Sequence, residues 1–217
     1  MPKPTPALQA VLFDWDGTLL DSFDADSSAY LAMFRELGTP WGLGELAAHY
    51  TPNWHHVYRA AKIPHSKWDI ADKLWAKHYA HHTPKLVPGA RRILAWVVRR
   101  YELGLVTSGD RTRVLRQLRH FGLTRLFTTR VCAGDTPQKK PHPAPLRLAV
   151  KQMCLNPAAC VYVGDSPHDL EMSKRAGVRA IAVIGRFPTE AGLRAAKPEF
   201  LLNSLKELPA VLKTLEK

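Results

Sequence analysis

The alternation of short apolar runs with amphipathic segments, which begins at residue 87, is the feature that most constrains the fold. The runs are rich in β-branched residues and bounded by turn residues, which is typical of buried strands. They are LGLVTS (103–108), RVCAG (130–134), CVYVGD (160–165), RAIAVIG (179–185) and FLLN (200–203). Segments with helical periodicity lie near 88–101, 110–121, 143–154, 167–176 and 189–196. This order predicts an α/β fold, a doubly wound parallel sheet with helices on both faces, whose first strand lies in ALQAVLFD (7–14).

Residues 21–86 interrupt this order, because helical patterns occur there without any convincing strand. The patterns are DADSSAYLAMFRELG (24–38), LGELAAHY (43–50), NWHHVYRAAK (53–62) and SKWDIADKLWAKHYAHH (66–82). The prolines and glycine of TPKLVPGA (83–90) predict a connection back to the sheet. We therefore expect a core domain of residues 1–20 and 87–217 and an inserted helical domain of residues 21–86.

The composition is that of an ordinary globular protein, with 46% apolar and 23% charged residues in a chain of 217. No apolar run approaches the length of a membrane span, and MPKPTPALQA has too many prolines for a secretory signal. We expect a cytoplasmic monomer or homodimer that does not bind membranes. The three cysteines, Cys132, Cys154 and Cys160, lack CxxC spacing, so we expect small buried thiols rather than disulfides or a zinc site.

A formal net charge of +12 suggests an anionic partner. Arginines cluster in RRILAWVVRR (91–100) and RTRVLRQLRH (111–120), which raises nucleic acid as a candidate partner. These arginines recur at helical spacing around apolar residues, as on the solvated face of an amphipathic helix. We favour the solvated face and regard nucleic acid as an unlikely partner.

Polar residues follow several of the predicted strands, at the edge where parallel sheets bind ligands. Buried carboxylates that converge there repel each other unless cations offset their charge. A magnesium ion and a lysine would do so, and this combination predicts a phosphate-ester substrate. The residues concerned are Asp14 and Asp16, Thr107 and Ser108, Asp165, and Lys140 in the loop after the third core strand.

Four motifs in this order resemble the haloacid-dehalogenase superfamily, specifically its phosphatases with a helical cap, such as phosphoglycolate phosphatase. They are DWDGTLLDS (14–22), VTS (106–108), KKPHP (139–143) and VGDSPHDLEMSKRAG (163–177). The resemblance implies a Rossmann-like core with an inserted α-helical cap. It also implies a magnesium-dependent phosphomonoesterase that acts on a small phosphorylated metabolite, with phosphoglycolate as the nominal substrate.

The resemblance further implies a role for each motif residue. Asp14 would be the nucleophile that forms an aspartyl-phosphate, and Asp16 would protonate the leaving alcohol and then activate water. Magnesium would be bound by Asp165 together with the Asp14 side chain and the Asp16 backbone carbonyl. Thr107, Ser108 and Lys140 would hold the phosphoryl oxygens.

Asp169 has two interpretations. Ser166 and Pro167 resemble a helix start, and the spacing from Ser166 to Asp169 fits a capping box. The family instead carries an acidic residue here that supports the metal site, often through water, and we expect Asp169 in that supporting role. Asp110 is expected to cap the next helix.

The helical insertion offers candidate substrate contacts, because a cap closes over the site and excludes water. The candidates are Tyr50, Asn53, His55, His56 and Arg59. His78 and His82 are four residues apart, but no third ligand accompanies them, so we expect surface histidines rather than a transition-metal site.

Trp15 departs from the family, in which the residue between the two aspartates is usually aliphatic. We expect its side chain to reshape the entrance of the site or to pack against the cap. The presence of Asp16 argues against dehalogenation. Two alternatives stay open: a sugar phosphomutase, and a basic nucleic-acid- or protein-binding module on a phosphatase scaffold.

Overall fold

A six-stranded parallel sheet forms the centre of the protein in a computed structural model that describes residues 7–216. Its strands are β1 (Ala10–Phe13), β4 (Glu102–Asp110), β5 (Thr129–Ala133), β6 (Cys160–Gly164), β7 (Arg179–Val183) and β8 (Leu201–Leu202). The spatial order is β5-β4-β1-β6-β7-β8, and every neighbouring pair is parallel. The α/β prediction is therefore confirmed, and β1 lies between the two strands that carry the later motifs.

Helices cover both faces of this sheet because the side chains of β1 alternate between two apolar cores. The helices are α5 (Ala90–Val97), α6 (Arg111–His120), α7 (Ala144–Gln152), α8 (Pro167–Ala176), α9 (Glu190–Ala195) and α10 (Leu208–Leu215). The last of these was not predicted. Val11 and Phe13 belong to the core that also contains α5, α6 and α10, whereas Ala10 and Leu12 belong to the core that contains α7 and α8.

Four further helices follow β1 and have an apolar core of their own, which includes Met33, Phe34 and Val57. They are α1 (Phe23–Leu37), α2 (Leu43–His49), α3 (Trp54–Ala60) and α4 (Trp68–Tyr79). The chain enters and leaves this group through a two-stranded antiparallel ribbon of β2 (Leu20–Asp21) and β3 (Lys85–Leu86). This ribbon is a correction, because we expected a simple connection here; two residues are too few to show alternation.

The arginine clusters lie as predicted, with one exception. Arg91, Arg92 and Arg116 are exposed, while Ile93 and other apolar residues of the same helices are buried. The exception is Arg113, whose side chain is only 11% exposed. No helix among residues 7–216 is long and apolar enough to cross a lipid bilayer.

The three cysteines are free thiols, but they are not all buried. Cys132 and Cys160 lie in strands β5 and β6 and are buried as expected. Cys154 is exposed in the turn after α7, where it has a left-handed backbone with φ 55°. The expectation of a buried thiol is therefore wrong at Cys154.

Candidate active site

The carboxyl ends of three adjacent strands bring the motif residues together. Asp14 follows β1, Thr107 lies near the end of β4, and Asp165 follows β6. All three line a cavity of about 570 Å³ that lies between the sheet edge and helices α1, α3 and α4. The site is therefore at the sheet edge where ligands of such folds collect.

Lys140 is the cation at the centre of this arrangement. Its Nζ lies 2.9 Å from Oδ1 of Asp14 and 2.8 Å from Oδ1 of Asp169, and it donates a hydrogen bond of 2.7 Å to the hydroxyl of Tyr162. The Tyr162 hydroxyl in turn donates to the carbonyl oxygen of Val106, at 2.7 Å. Lys140 is only 2% exposed, so its three partners fix the ammonium in place.

The neighbouring Lys139 is placed differently. Its Nζ lies 3.5 Å from the ring centroid of Trp54 and 3.3 Å from Nε2 of His55, both in α3. Lys139 lines the cavity from this position. The structure thus brings Lys140, and not Lys139, to the carboxylates.

Asp165 requires a glycine opposite it. Gly17 has φ +80°, and a Cβ at this position would lie 2.0 Å from Oδ2 of Asp165. The hydroxyl of Thr18 donates to Oδ1 of the same carboxylate at 3.2 Å. The turn after the first aspartates therefore contacts Asp165 directly, and no L-residue with a side chain fits at Gly17.

Asp14, Asp165 and Asp169 form a buried acidic cluster, in which one carboxylate oxygen from each lies within 4.8 Å of the others. Burial raises the pKa of Asp14 to about 7, against the opposing charge of Lys140. Burial raises the pKa of Asp165 well above its usual range, and the charges of Asp14 and Asp169 add to this effect. One ammonium thus does not offset three carboxylates. The donor set consists of hard oxygens with excess negative charge and fits a divalent metal ion.

Asp169 forms the predicted capping box, while its role in supporting a metal site stays a prediction. Its backbone N–H donates to Oγ of Ser166 at 3.2 Å, and its Oδ2 accepts from the Ser166 backbone N–H at 3.1 Å, which is a capping box. Its other carboxylate oxygen contacts Lys140. The helix start therefore also orients a carboxylate next to the site lysine.

Thr107 and Ser108 line the cavity beside Asp14. The Thr107 hydroxyl oxygen accepts a hydrogen bond of 3.0 Å from the backbone N–H of Gly109, which orients the hydroxyl. Asp110 accepts from the N–H of Arg113 at 2.9 Å, so its predicted role as the cap of α6 is confirmed.

Asp16 is paired with a residue that sequence reasoning missed. Arg113 donates from Nη1 to Oδ1 of Asp16 at 3.0 Å and from Nη2 to Oδ2 at 2.7 Å. Burial acts to raise the pKa of Asp16, but the Arg113 guanidinium outweighs it and holds that pKa below its usual value. The only sign of this role in the sequence is that Arg113 and Gln117 are four residues apart, next to the apolar residues of α6.

Trp15 is not among the described residues that line the cavity. It is fully buried in the core beside α6, where its ring centroid lies 6.5 Å from that of Phe121. Its Nε1 donates a hydrogen bond of 2.8 Å to Oε1 of Gln117. The expectation that Trp15 reshapes the entrance is therefore wrong, because its indole lies in the core on the α6 side of the sheet; packing of its ring against the cap stays a prediction.

The helices after β1 contribute an aromatic wall to the cavity. Of the predicted cap contacts, Tyr50 lines the cavity, whereas Asn53, His55, His56 and Arg59 are not among the described residues that line it. The sequence did not single out the other residues of this segment that line the cavity, which are Asp26, Tyr30, Thr51, Pro52, Trp54, Tyr58, Asp72, Lys73, Trp75 and Ala76. His78 pairs with Glu36 on the surface, its Nε2 2.6 Å from the glutamate Oε1.

Comparisons with known proteins identify a family and a shared fold. A family profile described as haloacid dehalogenase-like hydrolase matches residues 11–183. A phosphoglycolate phosphatase of Pseudomonas putida is 30% identical over 91% of this chain and 77% of its own. The pyrophosphatase PpaX of Bacillus cereus is 26% identical over 97% of this chain and 99% of its own. A crystal structure of a putative phosphoglycolate phosphatase from Lactobacillus plantarum superposes with a TM-score of 0.84 at 22% identity, covering 97% of this chain and 100% of that one.

Proposed function

Because the chain belongs to the haloacid dehalogenase-like hydrolase family, we propose that it is a magnesium-dependent phosphomonoesterase that works through an aspartyl-phosphate. The observation that carries this proposal is the contact of Lys140 with both Asp14 and Asp169 at the carboxyl end of β1. That contact supports the proposal because Asp14, the proposed nucleophile, lines the cavity and is held next to a buried cation and a second carboxylate.

Asp14 is the proposed nucleophile. Its Oδ1 accepts hydrogen bonds from the backbone N–H of Trp15 at 2.8 Å and from Lys140, so the attacking atom is Oδ2. Attack forms an O–P bond to Asp14 and breaks the P–O bond to the leaving alcohol. Water then attacks the phosphorus, which releases inorganic phosphate and restores the Asp14 carboxylate.

Asp16 is the proposed proton-transfer group. It gives a proton to the leaving alkoxide in the first step and takes one from the attacking water in the second. Its position two residues after Asp14 places it on the same face of the site. This role requires Asp16 to leave the fork of Arg113, where both of its oxygens accept hydrogen bonds.

The transferring phosphoryl oxygens are bound by Thr107, Ser108 and Lys140 in this proposal. The Lys140 ammonium is positioned before substrate arrives, so it stabilises developing charge without reorganisation. The residues that would hold the metal ion are Asp14 and Asp165 through their carboxylates and Asp16 through its backbone carbonyl, with Asp169 in support. A bound divalent ion supplies positive charge to the phosphoryl oxygens.

Residues 21–86 are the proposed cap domain, which excludes water from the site and contacts the substrate with Tyr50 and the aromatic side chains of α3 and α4. The substrate is a small phosphorylated metabolite. Phosphoglycolate and pyrophosphate are the first candidates, because relatives that match nearly the whole chain carry these names.

Hydrolysis of 4-nitrophenyl phosphate with and without Mg²⁺ tests the proposal. We expect activity only with the metal, and a loss of at least about a thousandfold in Asp14→Asn. Glu171→Gln is the matched control, because Glu171 is an exposed carboxylate on α8 that pairs with Arg175. Intact mass after rapid acid quench should show a phosphoryl group on the parent and none on Asp14→Asn. Activity that survives in Asp14→Asn would refute the aspartyl-phosphate.

A further inference from the structure

Arg113 has a second use if the proposed phosphatase function is correct. We propose that its guanidinium binds a second anionic group of the substrate, and that this group displaces the Asp16 carboxylate from the guanidinium. The substrate is then a phosphate ester that carries a carboxylate or a second phosphate near the ester. The inference rests on the proposed function and names the substrate class for that site.

The first support is the position of Arg113 in the cavity wall. Its side chain is 11% exposed and lines the same cavity as Asp14, Asp16 and Thr107. The Nε of Arg113 is buried and has no hydrogen-bond partner among the described residues. A guanidinium has five N–H donors, so the Nε–H of Arg113 is an unused donor next to the Nη groups that bind Asp16.

The second support is the way in which the guanidinium is held. Its central carbon lies 4.9 Å from the ring centroid of Tyr79 and 5.7 Å from that of Trp75. Its Nη1 also donates to the hydroxyl of Tyr79 and to Oε1 of Gln117, both at 3.3 Å. These contacts leave the guanidinium fixed after Asp16 departs, so its planar fork is already oriented for an incoming anion.

The third support is that Arg113 lies next to the segment that carries Thr107 and Ser108, the proposed phosphate-binding residues. A Cβ on Gly109 would lie 2.5 Å from Nη2 of Arg113, so the guanidinium rests against the backbone of Gly109. The same residue donates its N–H to the hydroxyl of Thr107. The second anion therefore lies close to the transferred phosphate, and a short linker joins the two groups.

Asp16 occupies the two guanidinium N–H groups that the second anion of the substrate would use. While two guanidinium N–H groups point at its two oxygens, neither oxygen is free to present a proton to a leaving alcohol. Exchange of Asp16 for the second anion keeps Arg113 paired, since a buried guanidinium without a partner is costly. Binding of the correct substrate thus frees the proton-transfer group, whereas an ester without a second anion leaves Asp16 paired with Arg113 for most of the time. 4-Nitrophenyl phosphate is still a usable probe, because 4-nitrophenolate departs without needing a proton.

Binding to the Asp14→Asn variant tests this exchange without turnover. The probes are phosphorylated hydroxy acids of two, three and four carbons, each compared with the alkyl phosphate of the same length, in Mg²⁺ by calorimetry. We expect at least one acid to bind about tenfold or more tightly than its alkyl partner. Adding Arg113→Gln should reduce that preference roughly tenfold to a hundredfold, and Arg113→Lys should reduce it less.

Arg116→Gln is the matched control, because Arg116 is exposed on the same helix and its substitution removes the same charge. Circular dichroism confirms that each variant is folded. An unchanged preference in Arg113→Gln, or its loss in Lys139→Gln instead, overturns the inference while 4-nitrophenyl phosphate hydrolysis still supports the phosphatase. A parent that shows no metal-dependent esterase activity overturns the proposed function and the inference together.

Discussion

The indole Nε1 of Trp15 donates a hydrogen bond to Oε1 of Gln117, and the amide nitrogen of the same glutamine donates to the hydroxyl of Tyr79 at 3.3 Å. One side chain of α6 therefore connects the residue between the two aspartates with the last residue of α4. The buried indole N–H thus has the hydrogen-bond partner that it needs in an apolar core.

We predict that Trp15 and Gln117 are energetically coupled. Trp15→Phe removes the donor and leaves a buried amide oxygen with a weaker partner, which should lower the free energy of unfolding by about 1–3 kcal/mol. A double-mutant cycle with Gln117→Leu, measured by urea unfolding, should give a coupling energy of about 1 kcal/mol. Strictly additive single and double variants would contradict this prediction.

Magnesium should stabilise the folded protein through the acidic cluster. At roughly a hundred times its Kd, Mg²⁺ should raise the Tm by roughly 5–10 °C, as a ligand of the folded state. Asp165→Asn should remove this shift. Without metal, Asp165→Asn should unfold at the same or a higher temperature than the parent, because burial makes the Asp165 charge unfavourable. Glu171→Gln should keep the full shift, and a Mg²⁺ effect that survives in Asp165→Asn would place the metal elsewhere.

Gly17→Ala should disable the site more than its backbone strain alone explains. The new Cβ would lie 2.0 Å from the Asp165 carboxylate, so that side chain must move. Gly122→Ala is a matched control, because Gly122 also has a positive φ, +67°, but its Cβ would meet nothing within 4 Å. We expect about 1–2 kcal/mol of destabilisation in the control. Gly17→Ala should lose more stability and at least about a hundredfold in kcat/KM; equal effects at both positions would exclude the contact with Asp165 as the cause.

Asp26 should make the protein less stable as the pH rises. Burial, with a smaller contribution from the charge of Asp16, raises the pKa of Asp26 from 3.8 to about 8. The folded state therefore binds a proton that the unfolded state has already lost, and this contribution disappears as the pH rises from about 4 to about 8. Asp26→Asn does not titrate, so its Tm should exceed that of the parent by an amount that grows over this interval, reaching at least about 3 °C. A Tm difference that does not change with pH would contradict the raised pKa.

The parts of the fold that follow from local pattern could be predicted from the sequence. The strand ends that carry Asp14, Thr107 and Asp165 are where short apolar runs stop, and parallel pairing brings such ends to one edge. Lys140 was distinguished from Lys139 only through the family motif. Hydrophobic periodicity does not distinguish the two lysines, but in the structure the ammonium group of Lys140 contacts Asp14 and that of Lys139 lies over the ring of Trp54.

The contacts between distant segments could not be predicted. Helical spacing put Arg113 on the solvated face of α6, because α4 covers that face only after residues 68–79 fold back over it. Four of the five predicted cap contacts do not line the cavity for the same reason, and only Tyr50 does. Residues on one short helix, such as His55 and His56, point in different directions, and the sequence pattern of a seven-residue helix does not show which direction faces the cavity.

The position of β1 in the sheet also has a consequence for biosynthesis. Residues Ala10–Phe13 leave the ribosome well before their partners, because they pair on one side with Glu102–Leu105 and on the other with Cys160–Val163. Such long-range pairing is slow, and an unpaired apolar edge invites association with other chains. A nascent chain that ends before β6 carries Asp14 without Asp165 and leaves one edge of its central strand open. The acidic cluster therefore forms only after β6 has been translated, and until then the open edge of β1 is exposed to association with other chains.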